Sequence, residues 1–272
     1  MSFGKNRVQY DEFFWSYYRF RNFDTYYYKG GMEQAIYTAK VADDDLAQIE
    51  KLLDYNLEGR MQFIIFNRLS DLKQTNIGLE GDEQYNTGGI TKIVGSKVML
   101  YFNGDHRDFR RQIREGIAQV LFNQIMFGGD VKDVLQNAAL LNIPDWYSKG
   151  LISYIGMNWN TEIDDRVMDG ILSGKYNKFN RLQGIDAVYA GHSIWRFIAE
   201  TYGETSISNL LFMTRINRNI ESGMLFVLGS SLKNLSKSWL EYYQKIYFNS
   251  DKGKELPTVK PIAKAKAKQL RL

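Results

Sequence analysis

A single proline, Pro144, precedes Pro257 in this chain. Proline removes a backbone donor and clashes with the preceding helical turn, so a sequence almost free of it can run long, uninterrupted helices. The apolar pattern uses that freedom unevenly. Before about residue 105 it holds short apolar runs, Met61–Phe66 (MQFIIF) and Lys97–Phe102 (KVMLYF), that read as buried strands. Residues 13–28 (FFWSYYRFRNFDTYYY) are aromatic and stop at Gly30-Gly31, the pattern of a strand or hairpin. Between these, 43–58 reads as a helix: Asp43-Asp44-Asp45 would cap it, Leu46, Ile49, Leu53 and Leu57 form one stripe, and Gly59 would stop it. Residues 76–89 are glycine-rich and read as a loop.

After Asp105 the apolar period becomes helical. Helices are expected over 108–126, ending at Phe127-Gly128-Gly129, and then near 131–140, 145–155, 161–173, 186–201, 205–217 and 231–247. The sequence therefore predicts an α+β chain in three parts. These are an N-terminal mixed α/β sheet subdomain over 1–105, a helical subdomain over 106–250 led by a long central helix, and a tail over 251–272. There is no internal repeat.

Composition narrows the function classes. With no cysteine, disulfides, thiolate catalysis and Cys-based metal sites are excluded. The net charge of +4 is concentrated in the tail: residues 251–272 hold seven basic and two acidic residues, +5, which leaves −1 for the remainder. A near-neutral body with a basic tail lacks the basic face that nucleic-acid binding needs. The tail, with Pro257, Pro261 and alternating Ala-Lys, reads as a linker to a further domain. No apolar run reaches the ~18 residues that span a bilayer. Met1–Asn6 has no apolar h-region, so no signal peptide is expected at this start. The 18 Tyr and 16 Phe suit core packing first and a recognition surface second, with the aromatic N-terminal segment the best partner-facing candidate.

Three segments resemble gluzincin metalloproteases, the thermolysin-like and peptidase-MA-like group. Ile113-Arg114-Glu115-Gly116-Ile117-Ala118-Gln119-Val120-Leu121 aligns without gaps to their active-site helix, but Glu115, Gly116 and Gln119 stand where the family has His, Glu and His. Ile143-Pro144-Asp145-Trp146-Tyr147-Ser148-Lys149-Gly150-Leu151-Ile152-Ser153-Tyr154 is similar to the segment that holds the third zinc ligand, a Glu, at the place of Lys149. Ala190–Trp195 through Tyr202-Gly203 is similar to a later helix of the same domains. The resemblance spans about residues 20–247. It is greatest to the domain found ahead of TolB-like β-propellers in bacterial envelope proteins.

That resemblance implies a zincin-like fold, a periplasmic or envelope location, a covalently linked β-propeller, a peptide or protein partner, and no cofactor. Catalytic zinc needs three protein ligands and an open position, and the only histidines, His106 and His192, are far apart in sequence. Shifting the register by one residue puts Arg114 and Ala118 at the histidine positions and does not help. The expected reading is a pseudo-peptidase in which Lys149 replaces the metal's charge and pairs with Glu115, with Gln119 adding a neutral hydrogen bond. The plainer alternative leaves both charges solvated.

Trp146, Tyr154, His192 and Tyr85 are the candidate cleft residues. His192 beside Ser193 does not form a nucleophile–base pair, because neighbours on a helix point about 100° apart, and a hydrogen-bonded core histidine is the simpler expectation. Glu162, Asp164 and Asp165 read as a helix start rather than a calcium loop. Arg110, Arg111 and Arg114 read as a solvated helix face. Two other functions stay open at this point: metal-free hydrolysis using Glu115 and Asp145, and carbohydrate binding through exposed aromatics.

Overall fold

The computed structural model describes residues 12–74, 96–128 and 142–250. Strands β1 (Ser16–Arg19), β2 (Phe23–Tyr27), β3 (Met61–Phe66) and β4 (Lys97–Tyr101) lie side by side in that order. The first pair is an antiparallel hairpin, as the aromatic segment predicts; β2/β3 and β3/β4 are parallel. Two of those aromatics pair across the hairpin, Tyr17 stacking on Tyr26 and Tyr18 on Tyr27.

Helix α1 (Met32–Leu53) crosses over from β2 to β3, and α2 (Leu69–Lys73) follows β3. Helix α3 (His106–Phe127) comes next and contains the gluzincin-like segment. Then come α4 (Asp145–Gly156), α5 (Thr161–Leu172), a 3-10 segment (Lys175–Arg181), α6 (Gly184–Tyr202), α7 (Thr205–Asn217), α8 (Ile220–Leu228) and α9 (Leu232–Ser250). The chain is α+β, with a small mixed sheet followed by a helical region. Among the described residues, no helix is long and apolar enough to cross a membrane.

Alternation along the parallel strands sorts their side chains to two faces. Met61, Phe63, Ile65, Val98 and Leu100 join one large buried cluster that extends through α1, α3, α4, α6 and α9 to Tyr247. Phe66, Met99 and Tyr101 face the other way, onto a smaller cluster with Tyr28 and Leu72. The large cluster crosses the expected boundary at 105/106, so the two halves share one core.

The first helix differs from the expectation. It starts at Met32, eleven residues before Asp43, because Ala35, Thr38, Ala39 and Ala42 carry its buried face back to the Gly30-Gly31 turn. Asp43-Asp44-Asp45 therefore lies mid-helix and caps nothing. The helix ends at Asp54 in a left-handed conformation (φ 48°), before Gly59. Helices α2, α8 and the 3-10 segment were not expected. The expected helix at 131–140, the loop at 76–89, Tyr85 and the tail lie outside the described residues.

Helices α4 and α6 cross at unusually close range. A Cβ on Gly191 would overlap the carbonyl oxygen of Trp146, and one on Gly150 would overlap the backbone at Gly191. Only glycine at both positions permits this approach, which sets the relative placement of everything on these two helices.

Candidate functional site

Helix α3 begins at Asp105, whose carboxylate accepts from the backbone N–H of Arg107, as expected for a cap beside His106. One turn further in, its arginines take separate partners. Arg110 and Arg114 both donate to Asp45 of α1, at 2.9 and 2.6 Å, and that carboxylate is fully buried. Arg114 also donates from Nε to the carbonyl of Ile155 at the C-terminal end of α4 (3.1 Å), where cations suit the helix dipole. The expectation of a solvated arginine face is thus corrected: the two guanidinium groups tie α3 to α1 and α4, because Asp45 is buried there and needs charged partners.

Glu115, Gln119 and Lys149 are engaged within their own helices. Glu115 receives two hydrogen bonds from Arg111, at 3.0 and 3.1 Å, and Arg111 also pairs with Asp108. Burial pushes the Glu115 pKa above the ordinary carboxylate value, and the Arg111 charge opposes that shift. Gln119 donates to Asn123 at 2.9 Å, and Lys149 donates to Asp145 at 3.1 Å. The Glu115–Lys149 pair expected from the sequence is not formed, since each residue has an opposite charge within one turn of its own helix. Gly116 faces β4, and a Cβ there would overlap Val98 Cγ1. A Cβ at Gly156 would likewise overlap Glu115 Cγ, so α4 closes over that carboxylate.

These residues do not fit a zinc ion. Glu115 is a carboxylate already bound by an arginine, Gln119 is an amide and Lys149 a cation. A Cβ at position 116 would overlap the Val98 side chain. Among the described residues, no group of three or more His, Asp or Glu side chains gathers as a metal would need.

The cleft candidates separate. Trp146 is fully buried and donates from Nε1 to Asn180 Oδ1 at 2.7 Å, so it belongs to the core and lines no cleft; its expected binding role is corrected. His192 and Tyr154 do line a cleft, of about 420 Å³, between α1, α3, α4 and α6. His192 is 1% exposed, and its Nδ1 lies 3.0 Å from Ser153 Oγ. Burial, and secondarily the charge of Arg196, push its pKa down to about 3, so the ring is neutral at physiological pH. Ser193 is used elsewhere, accepting from Trp239 Nε1 and donating to the carbonyl of Ala190. Around the cleft stand Trp159 and Arg196, which the sequence reading passed over. Arg196 lies over the Trp159 ring at 4.2 Å and donates from Nε to Glu200. His192, Arg196 and Glu200 recur at every fourth position of an apolar helix, and that polar stripe was the available signal. The acidic residues at the start of α5 act as expected within a helix start: Asn160 caps it, Glu162 accepts from Tyr189, and Asp164 accepts from Trp159.

The N-terminal aromatics are partly presented to solvent, Phe14 at 82% and Tyr17 at 50% exposure. In the cleft, by contrast, the Trp159 ring stacks on Tyr243 and has Arg196 over it, so it offers no open platform for a sugar.

Compared with known protein families and with characterised proteins, the sequence has no significant match.

Proposed function

We propose that this chain is a catalytically inactive gluzincin-like domain that acts as a peptide- or protein-binding, or scaffolding, module of a larger cell-envelope protein. In that reading, residues 251–272 lead to a β-propeller. The observation that carries the proposal is the pairing of a lost donor set with a lost space: Glu115, Gln119 and Lys149 hold local partners, and Gly116 packs against Val98. The residues that still agree with the family support the fold part of the reading, because they pack. Gly150 permits the close helix crossing, Trp146 and Leu151 are buried, and Pro144 sits at the start of α4.

Metal-free hydrolysis gains no support, because Glu115 and Asp145 are each neutralised by a cation on the same helix. The test is a fluorogenic peptide library incubated with the full chain, with and without added zinc. The proposal expects no cleavage above a buffer control. Zinc-dependent cleavage that a chelator abolishes would overturn it.

A further inference from the structure

The cleft between α1, α3, α4 and α6 holds more hydrogen-bond donors than the protein itself uses. Arginine has five N–H donors. Arg114 gives its Nε to the Ile155 carbonyl and its Nη1 to Asp45 and Gln48, which leaves Nη2 without an acceptor among the described residues. Arg196 gives only its Nε, to Glu200, and its guanidinium is fixed in place over Trp159. The Tyr154 hydroxyl lines the same cleft and makes no hydrogen bond with the described residues.

His192 completes the set. It is almost wholly buried, yet among the described residues only its Nδ1 has a partner. In the tautomer where Ser153 donates to Nδ1, the ring proton sits on Nε2 and the neutral imidazole offers one more donor to the cleft. Four residues from three helices thus bring donors to one place, and an oxyanion is what such a set recognises.

The acceptors in the lining are mostly spent. Both Glu200 oxygens are taken, one by Arg196 and one by the Tyr242 hydroxyl, while Glu204 stands exposed. Leu52, Ile155, Met157 and Ala199 form an apolar part of the remaining wall, beside Asn158 and Trp159. A volume of about 420 Å³ lies at the small end of ligand pockets.

We propose that this cleft binds a carboxylate attached to an apolar group, through Arg114, Arg196, Tyr154 and His192, with the apolar group against Leu52 and Met157. Such a carboxylate comes either from the C-terminal residue of a peptide or from a free small acid. The site does not depend on the inactive-peptidase reading, since it uses none of the four positions that reading concerns.

The test is isothermal titration of the full chain at low salt with three probes: an acetylated tripeptide ending in leucine with a free carboxylate, the same tripeptide as its amide, and N-acetyl-leucine. The free-acid peptide or N-acetyl-leucine should bind, and the amide at least about tenfold more weakly. If the peptide binds and N-acetyl-leucine does not, the source is a peptide terminus. If both bind alike, the source is a small acid. Equal binding of acid and amide, or no binding by any probe, overturns the proposal. Tyr154→Phe removes a hydroxyl that no described residue needs, so it should weaken the free-acid probe severalfold while leaving the melting temperature unchanged. Unchanged affinity in that variant would also count against the site. Arg196→Gln should weaken binding further, and its circular dichroism checks that it folds.

Discussion

Two polar regions lie on neighbouring stretches of α3 and α4, and they differ in how far their hydrogen-bonding capacity is spent. At Glu115, Gln119 and Lys149 every side chain has a partner on its own helix, and glycines 116 and 156 leave no space beside them. Around His192, groups from three helices converge and several donors have no acceptor. The first region resembles a family motif in outline, and its side chains are spent on local partners. The second draws on Arg114, His192 and Arg196, which lie in the same aligned segments, and keeps donors that the described residues do not use. Position in an alignment and unspent capacity in space are separate signals, and here they separate residues of the same helices.

Returning the family's glutamate to the first region should have the largest effect. In Gly116→Glu the new side chain meets Val98 and brings a charge against the sheet, so a loss of about 4 kcal/mol or more is expected in chemical denaturation. A stable variant would mean that the region has room after all.

Asp45→Ala removes the carboxylate that anchors Arg114 at the edge of the cleft. It leaves Arg110 and Arg114 without their buried partner and should cost about 3 kcal/mol, seen as a melting temperature lower by about 6–12 °C. Because Arg114 is then released from α1, binding in the cleft should weaken as well.

The pH dependence sharpens the contrast further. A His192 pKa of about 3 in the folded chain, against an ordinary 6.5, means that the unfolded chain takes up the proton first. Its contribution to stability is complete above about pH 6.5 and is lost as pH falls toward 3, at up to about 1.4 kcal/mol per pH unit. Denaturation curves at pH 7.5 and 5.5 should show a smaller loss for His192→Gln than for the parent chain; equal losses would place the imidazole in contact with bulk water.

Glu115→Gln should have the smallest effect. The folded-state pKa of this carboxylate is raised, so its charged form is disfavoured by folding, and that penalty grows as pH rises through the folded value. At neutral pH the amide should be neutral to slightly stabilising, within about 1 kcal/mol, since Asp108 still holds Arg111. A large loss would show that the ion pair is a structural requirement.

Much of the fold was legible because it follows from local periodicity. The strands at 61–66 and 97–101 and the helices from α3 onward, α8 excepted, begin and end within a few residues of where their apolar spacing and glycine stops place them. The start of α1 was missed because alanines carry its buried face, and small residues give a weak apolar signal that an acidic run outweighed. The role of Arg110 and Arg114 depended on Asp45, 65 and 69 positions away, which no local pattern records. That Glu115, Gln119 and Lys149 differ from the zinc ligands of the family they resemble could be read directly from residue types. Where Glu115 and Lys149 would turn instead was not readable, because each had competing partners one turn away. The cleft was half visible, in His192 and Tyr154; the Arg196 stripe was present in the sequence and Arg114 was misassigned to solvent.

The most direct test of the central claim is the metal content of the purified chain. It should be dialysed, supplied with excess zinc, dialysed again and measured by elemental mass spectrometry. The account predicts less than about a tenth of an equivalent of zinc per chain, because a carboxylate, an amide and a cation do not make a zinc site. Near-stoichiometric zinc surviving the second dialysis would contradict it, and would mean that the metal-binding capacity lies with residues other than Glu115, Gln119 and Lys149.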